Sequence, residues 1–134
     1  MLLWKGDIEL RVLLDTQTVI AAYLGDLLPR KVVTLLSDSN TERLVSAATV
    51  MEVAVKNTIG KLQMGEAEMQ EAVRDLLLKV IPFEPRHACR LFRLPLHHRD
   101  PFDRMILATA YEEGLAIVGA DRQFKRYRGV KVIW

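Results

Sequence analysis

A single cysteine, Cys89, is all the chain has, so no internal disulfide can form, and a reducing compartment fits. No apolar run approaches the roughly 18 residues that a membrane span needs. Near the start, Lys5, Asp7, Glu9 and Arg11 interrupt what would have to be the unbroken core of a secretory signal. Both absences point to a cytoplasmic protein with no membrane association. An excess of one charge is lacking too, because a net +2 over 134 residues is too small to imply a polyanionic partner. The chain shows no repeat, low-complexity stretch or internal linker. It has no glycine-rich phosphate loop and no Gly-x-Ser-x-Gly elbow. His87, His97, His98 and Cys89 match no common zinc spacing, and read as loop or helix-end histidines and a core cysteine.

What is present is enough apolar sequence, half of the residues, for one domain with a real core. Ile8, Leu10, Val12 and Leu14 alternate with charged neighbours and run into an unbroken Leu13-Leu14. That reads as a strand buried on both faces, as in a parallel sheet. Helices are expected at 18–24 before Gly25, at 29–37 opened by Pro29, at 49–59 before Gly60, at 66–78, and as a short piece at 87–93 before Pro95. The firmest helical pattern is Pro101–Glu113, with Asp100 as N-cap and Gly114 past its end. Strands are expected at 43–46, 80–83, 115–118 and 130–134, with a short helix at 122–127. Strands alternating with helices imply an α/β domain with a mainly parallel sheet. Met1–Gly6 reads as a leader, and Leu2, Leu3 and Trp4 as a partner-contact patch or packed residues.

Ligands of such sheets bind beyond the C-terminal strand ends. Asp15 falls directly after the first strand and Asp121 shortly after 115–118. Asp103 shares a helical stripe with Ile106, Leu107 and Ala110, and Glu52 shares one with Val55 and Ile59. Each acid also has a local explanation. Asp15 and Asp121 suit turns or caps, Asp100 with Asp103 and Thr49 with Glu52 suit capping boxes, and Lys56 is placed to pair with Glu52. Taken together, all four stand where a strand or helix meets one sheet edge. Carboxylates gathered there repel and call for a cation, and oxygen ligation suits Mg²⁺ or Mn²⁺. Such an ion activates water and polarises a phosphodiester.

Three segments carry a resemblance: Leu13-Leu14-Asp15-Thr16; Val45 to Lys56, with Glu52; and Leu94-Pro95-Leu96-His97-His98-Arg99-Asp100-Pro101-Phe102-Asp103-Arg104. With Gly119-Ala120-Asp121 and the closing 130–134, they are similar to the PIN domain, and specifically to VapC-like toxins of bacterial and archaeal toxin–antitoxin pairs. The likeness runs from about Val12 to the end, and the His-His-Arg-Asp-Pro-Phe-Asp-Arg block is its most specific part. It implies a single PIN domain over 1–134 with residues 1–7 as a flexible leader. The fold would be a three-layer sandwich, a four- or five-stranded mainly parallel sheet with helices on both faces. It also implies Mg²⁺-dependent endoribonuclease activity, an antitoxin that blocks the site, and a homodimer.

By motif, Asp15, Glu52, Asp103 and Asp121 match the family's four acidic positions, and Asp100 an additional acid. In the expected mechanism Asp15 and Asp103 ligate the ion, Asp121 completes the site, and Glu52 orients the attacking water. Arg99 and Arg104 would contact RNA phosphates. The basic run Arg122, Lys125, Arg126, Arg128 and Lys131, with Tyr127, would track single-stranded RNA. One departure is Gly119, where many relatives carry Thr or Ser, whose hydroxyl can help orient the acids. Another is Gln17, where close relatives often have His. Two other classes fit less of the sequence: a non-catalytic PIN-fold module gripping RNA or protein, supported by Gly119, and a phospho-acceptor domain using Asp15, which lacks that fold's adjacent acidic pair.

Overall fold

The computed structural model describes residues 10–134. The expected leader, the Leu2–Leu3–Trp4 patch and the Ile8 end of the first strand lie outside them. In chain order the elements are β1 (Leu10–Leu14), α1 (Thr16–Leu24), α2 (Arg30–Ser37), β2 (Thr41–Ser46), α3 (Ala47–Thr58), α4 (Glu66–Asp75), β3 (Lys79–Ile81), α5 (Pro85–Arg90), α6 (Pro101–Glu113), β4 (Ala116–Val118) and β5 (Val132–Ile133). Short 3₁₀ turns follow α5 at Leu91–Arg93 and β4 at Arg122–Arg126.

The strands form one five-stranded sheet in the order β3-β2-β1-β4-β5, and every pairing is parallel. Alternation along β1 explains the layers. Val12 and Leu14 enter one core with Val19, Val32, Val53 and Met69 from α1–α4. Leu13 enters a second core on the other face, with Ile106, Leu107 and Ala110 of α6 and with Phe124. All three strand residues are fully buried, as the apolar run required. The fold is a three-layer α/β sandwich. No helix among the described residues is long and apolar enough to cross a membrane.

Register sets the site. Leu14 pairs with Val45 on one side and Val118 on the other, so β1, β2 and β4 end at one level. The chain leaves β1 toward β2 on one flank and reaches β4 on the other, and ligands collect at such a switch in strand order. The backbone N–H of Asp15 donates to Val118 O at 3.0 Å, which carries the β1–β4 ladder to the first acid.

Several boundaries differ from expectation for local reasons. α3 starts two residues early because Ser46, not Thr49, is its N-cap: Ser46 Oγ accepts the Ala48 N–H at 3.0 Å. The Thr49–Glu52 capping box is therefore not formed. α4 ends at Asp75 rather than at 78, because Leu77 takes a left-handed φ of 53° while Leu78 turns into the core. β3 is shorter than expected, at three residues. α6 matches its expected span, with Gly114 at a φ of 65° as its C-cap.

Candidate active site

Asp15, Glu52, Asp103 and Asp121 come from four separate segments. All four line one cavity of about 390 Å³ at the C-terminal strand ends, together with Asp100 and Lys56. Asp15 is buried and caps α1. Its Oδ1 accepts both the Thr18 N–H at 2.9 Å and the Thr18 hydroxyl at 2.6 Å. That hydroxyl also lies 3.1 Å from Val118 O, so Thr18 ties the ends of β1 and β4 to the acid between them. The buried hydroxyls of Thr16 and Thr49 meet at 3.0 Å and join the helix of Asp15 to the helix of Glu52.

Glu52 faces inward from α3. Its Oε2 accepts from Lys56 Nζ at 2.6 Å, the expected one-turn pair. Its Oε1 is buried and has no hydrogen-bond partner among the described residues. A buried carboxylate oxygen without a donor is costly, and here it borders the acidic cavity. Asp103 stands in the first turn of α6. Asp100 is that helix's N-cap, with Oδ1 accepting from Phe102 and Asp103 N–H at 2.8 and 3.1 Å. The return half of the expected capping box is missing, because the Asp100 N–H goes to His98 Nδ1 at 3.2 Å. The Asp103 carboxylate is thereby left to the cavity.

Asp121 caps the 3₁₀ turn Arg122–Arg126 through Oδ1, which accepts the Gln123 N–H at 2.9 Å. Its Oδ2 is 2.8 Å from His98 Nε2, and Asp103 Oδ2 is 3.0 Å from the same nitrogen. Local capping and a place in the cluster are therefore not alternatives for Asp15 and Asp121; one oxygen serves each.

Electrostatics follow from this crowding. Burial raises the Asp15 pKa above its ordinary 3.8; the Thr18 hydrogen bonds oppose this, and Asp121 and Glu52 add to it. Asp103 is pushed up to about 7, first by burial and then by Asp100, with His98 opposing and Glu52 and Asp15 adding. Lys56 is raised chiefly by its hydrogen bond to Glu52. A divalent cation would relieve the repulsion and the desolvation together. The oxygen-rich donor set and the orphaned Glu52 Oε1 fit a hard ion of the Mg²⁺ or Mn²⁺ kind.

Not every expected residue faces the cavity. The Arg104 guanidinium donates to the carbonyls of Leu91, Leu94, Pro95 and His98 at 3.1 to 3.3 Å. It staples the loop before α6, and its donors are not turned to a phosphate. Tyr127 is buried, with its hydroxyl donating to Pro95 O at 2.7 Å and accepting the His98 N–H at 2.8 Å, so it offers no face to a base. Arg99 is exposed, as are Arg122, Lys125, Arg126, Arg128 and Lys131. Cys89 is exposed rather than in the core. His87 joins Glu84 and Glu113, apart from the cavity. Sequence reasoning passed over Thr18 and His98. His98's position two residues before the α6 cap was the available signal.

The PIN domain family matches residues 12–130. The chain belongs to this family. Solved structures share the fold at low identity. A chain of DNA-bound VapBC from Salmonella typhimurium is 21% identical with a TM-score of 0.70, over 93% of this chain and 98% of that one. A chain of VapBC2 from Rickettsia felis, bound to a promoter DNA fragment, is 18% identical with a TM-score of 0.69, over 92% and 98%. A toxin–antitoxin complex from Klebsiella pneumoniae gives 22% and 0.63, over 92% and 96%. No curated protein matches the sequence. In this PIN domain Gly119 follows β4 so closely beneath Asp15 that a Cβ there would meet the Asp15 carboxylate. A Ser or Thr at 119 would require the Asp15 carboxylate to shift, and the hydroxyl that meets Asp15 here is that of Thr18.

Proposed function

We propose that this PIN domain is a Mg²⁺- or Mn²⁺-dependent endoribonuclease and the toxin of a toxin–antitoxin pair. The observation that carries the reading is the convergence of Asp15, Glu52, Asp103 and Asp121 on one cavity, with a buried Glu52 oxygen that has no donor among the described residues. Asp15 and Asp103 hold the ion, with Asp121 completing the site; Asp100, one turn before Asp103, is the weaker ligand. When bound, the ion supplies Lewis acidity that lowers the pKa of a water, polarises the phosphodiester and stabilises the leaving oxygen. Glu52 orients the attacking water, and Lys56 holds the Glu52 carboxylate in place. Exposed Arg99 and the basic run after Asp121 guide the RNA backbone by charge.

The partners proposed are an antitoxin that covers the cavity, supported by the toxin–antitoxin complex among the structural neighbours, and a second copy of the chain. The proposed location is the cytoplasm, and the proposed extent is one domain over 1–134. The alternative is a non-catalytic PIN-fold module that grips RNA or protein, for which Gly119 is the sequence support; metal binding without cleavage of varied RNAs would favour it.

The test is RNA cleavage by wild type, Asp15→Asn and Asp103→Asn with Mg²⁺, before and after EDTA. Loss of cleavage in both variants and on chelation is the expected result. Equal rates in all three proteins, or cleavage indifferent to complete chelation, would reject the metal-dependent nuclease.

A further inference from the structure

We infer that His98 is a positioning residue, a donor that fixes Asp121 close beside Asp103, and not a ligand of the ion they hold. This rests on the reading that those acids bind a divalent cation. His98, Asp103 and Asp121 offer nitrogen and oxygen atoms within 4.8 Å of one another, a spacing a metal site could use. The opposite edge of the ring decides against ligation. His98 Nδ1 receives the backbone N–H of Asp100 at 3.2 Å. A backbone amide only donates, so Nδ1 presents its lone pair, and the neutral imidazole carries its proton on Nε2. Nε2 then donates to Asp121 Oδ2 at 2.8 Å, with Asp103 Oδ2 3.0 Å from the same nitrogen, and has no lone pair left for a cation.

The ring is built to stay there. It is buried and packs at a tilt on Phe124, with centroids 5.6 Å apart. The His98 N–H donates to the Tyr127 hydroxyl at 2.8 Å, and its carbonyl accepts from Arg104 at 3.2 Å. Two of the four acids then share one arrangement. Thr18 anchors Asp15 Oδ1 and Lys56 anchors Glu52 Oε2. The second oxygen of each has no hydrogen bond among the described residues. The donors fix the carboxylates and leave one oxygen apiece for the ion. Asp121 is held at both oxygens, by His98 and Gln123. Without His98, Asp121 loses its donor and faces Asp103 with nothing to offset their repulsion.

Two measurements on the full chain test this. The first is Mn²⁺ affinity, by titration calorimetry, of wild type, His98→Ala and His98→Gln, with thermal unfolding as a check of folding. His98→Ala should bind at least about 10-fold more weakly, as for other partners that orient ligands from outside the coordination shell. His98→Gln, whose amide can donate from nearly the same place, should recover most of the affinity. The second is long-range ¹H–¹⁵N correlation of the wild-type imidazole, which should show Nε2–H without metal and with Mg²⁺. Unchanged affinity in His98→Ala, no recovery in a folded His98→Gln, or a deprotonated Nε2 in the Mg²⁺-bound protein would each overturn the inference. Absence of Mn²⁺ binding in wild type would instead overturn the metal reading beneath it, and an Nδ1–H tautomer without metal would still overturn the donor assignment.

Discussion

Gly119 lies so close under Asp15 that a Cβ built at 119 would stand 2.5 Å from Asp15 Oδ2 and 2.8 Å from its Cγ. The glycine is needed for space, because its backbone is not left-handed as Gly25, Gly60, Gly114 and Gly129 are. The displaced group is the carboxylate proposed as a ligand, on the oxygen Thr18 does not hold. Gly119→Ala should therefore move Asp15 and lower cleavage and Mn²⁺ affinity by about 10-fold or more, with a stability cost of about 1–3 kcal/mol. RNA cleavage and thermal unfolding on the same preparation check this, and wild-type cleavage in Gly119→Ala would show that Asp15 tolerates the shift.

Asp103 gives the metal-free protein a pH dependence of defined sign. Its folded pKa, about 7, lies above its ordinary 3.8, so between those values the folded state keeps a proton that the unfolded chain has released. Stability then falls as pH rises through that window, and the loss is complete above the folded value. Asp103→Asn should flatten the dependence and raise the melting temperature near pH 7.5 without metal. Mg²⁺ should raise the wild-type melting temperature more at pH 7.5 than at pH 5. Thermal unfolding across pH with EDTA or Mg²⁺ measures both, and identical profiles for wild type and variant would contradict the assignment.

Arg104 and Arg99 should separate by experiment. Arg104→Lys keeps the charge but not the fork that reaches four loop carbonyls, so it should destabilise the protein by roughly 1–3 kcal/mol and loosen His98. Arg99→Ala should leave the melting temperature within about 0.5 kcal/mol of wild type. It should weaken RNA binding and reduce the salt slope by about 0.7 for a single-stranded RNA, one phosphate contact. Binding titrations over a salt series, with unfolding curves, would expose a reversed pattern.

Leu13 anchors the face that carries α6. It is fully buried among Leu44, Ile106 and Ile117, so Leu13→Ala should cost about 2–5 kcal/mol. Because α6 carries Asp103, any folded remainder should also bind Mn²⁺ more weakly. Denaturant unfolding gives the first quantity, and a loss below 1 kcal/mol would mean the core collapses around the gap.

Local signals carried much of this PIN domain. Leu13-Leu14 between alternating residues marked a strand buried on both faces, and Asp100, Pro101 and Gly114 marked both ends of α6, because capping and periodicity act over a few residues. The alternation of strands and helices implied the parallel sheet, and the spacing of Asp15 and Asp121 after their strands placed them at its open end. The start of α3 was misjudged because two cap candidates, Ser46 and Thr49, stand three residues apart, and α1 and α5 each begin two residues before their expected starts.

The order β3-β2-β1-β4-β5, the His98 bridge, the Thr18 anchor and the tight seat of Asp15 over Gly119 came only with the tertiary structure. The same holds for the fates of Arg104 and Tyr127, which bind the loop before α6. These are contacts between groups remote in the chain, such as His98 and Asp121, or Arg104 and Leu91. Residue type limits what each group can donate or accept, but its partner is chosen by how the layers pack.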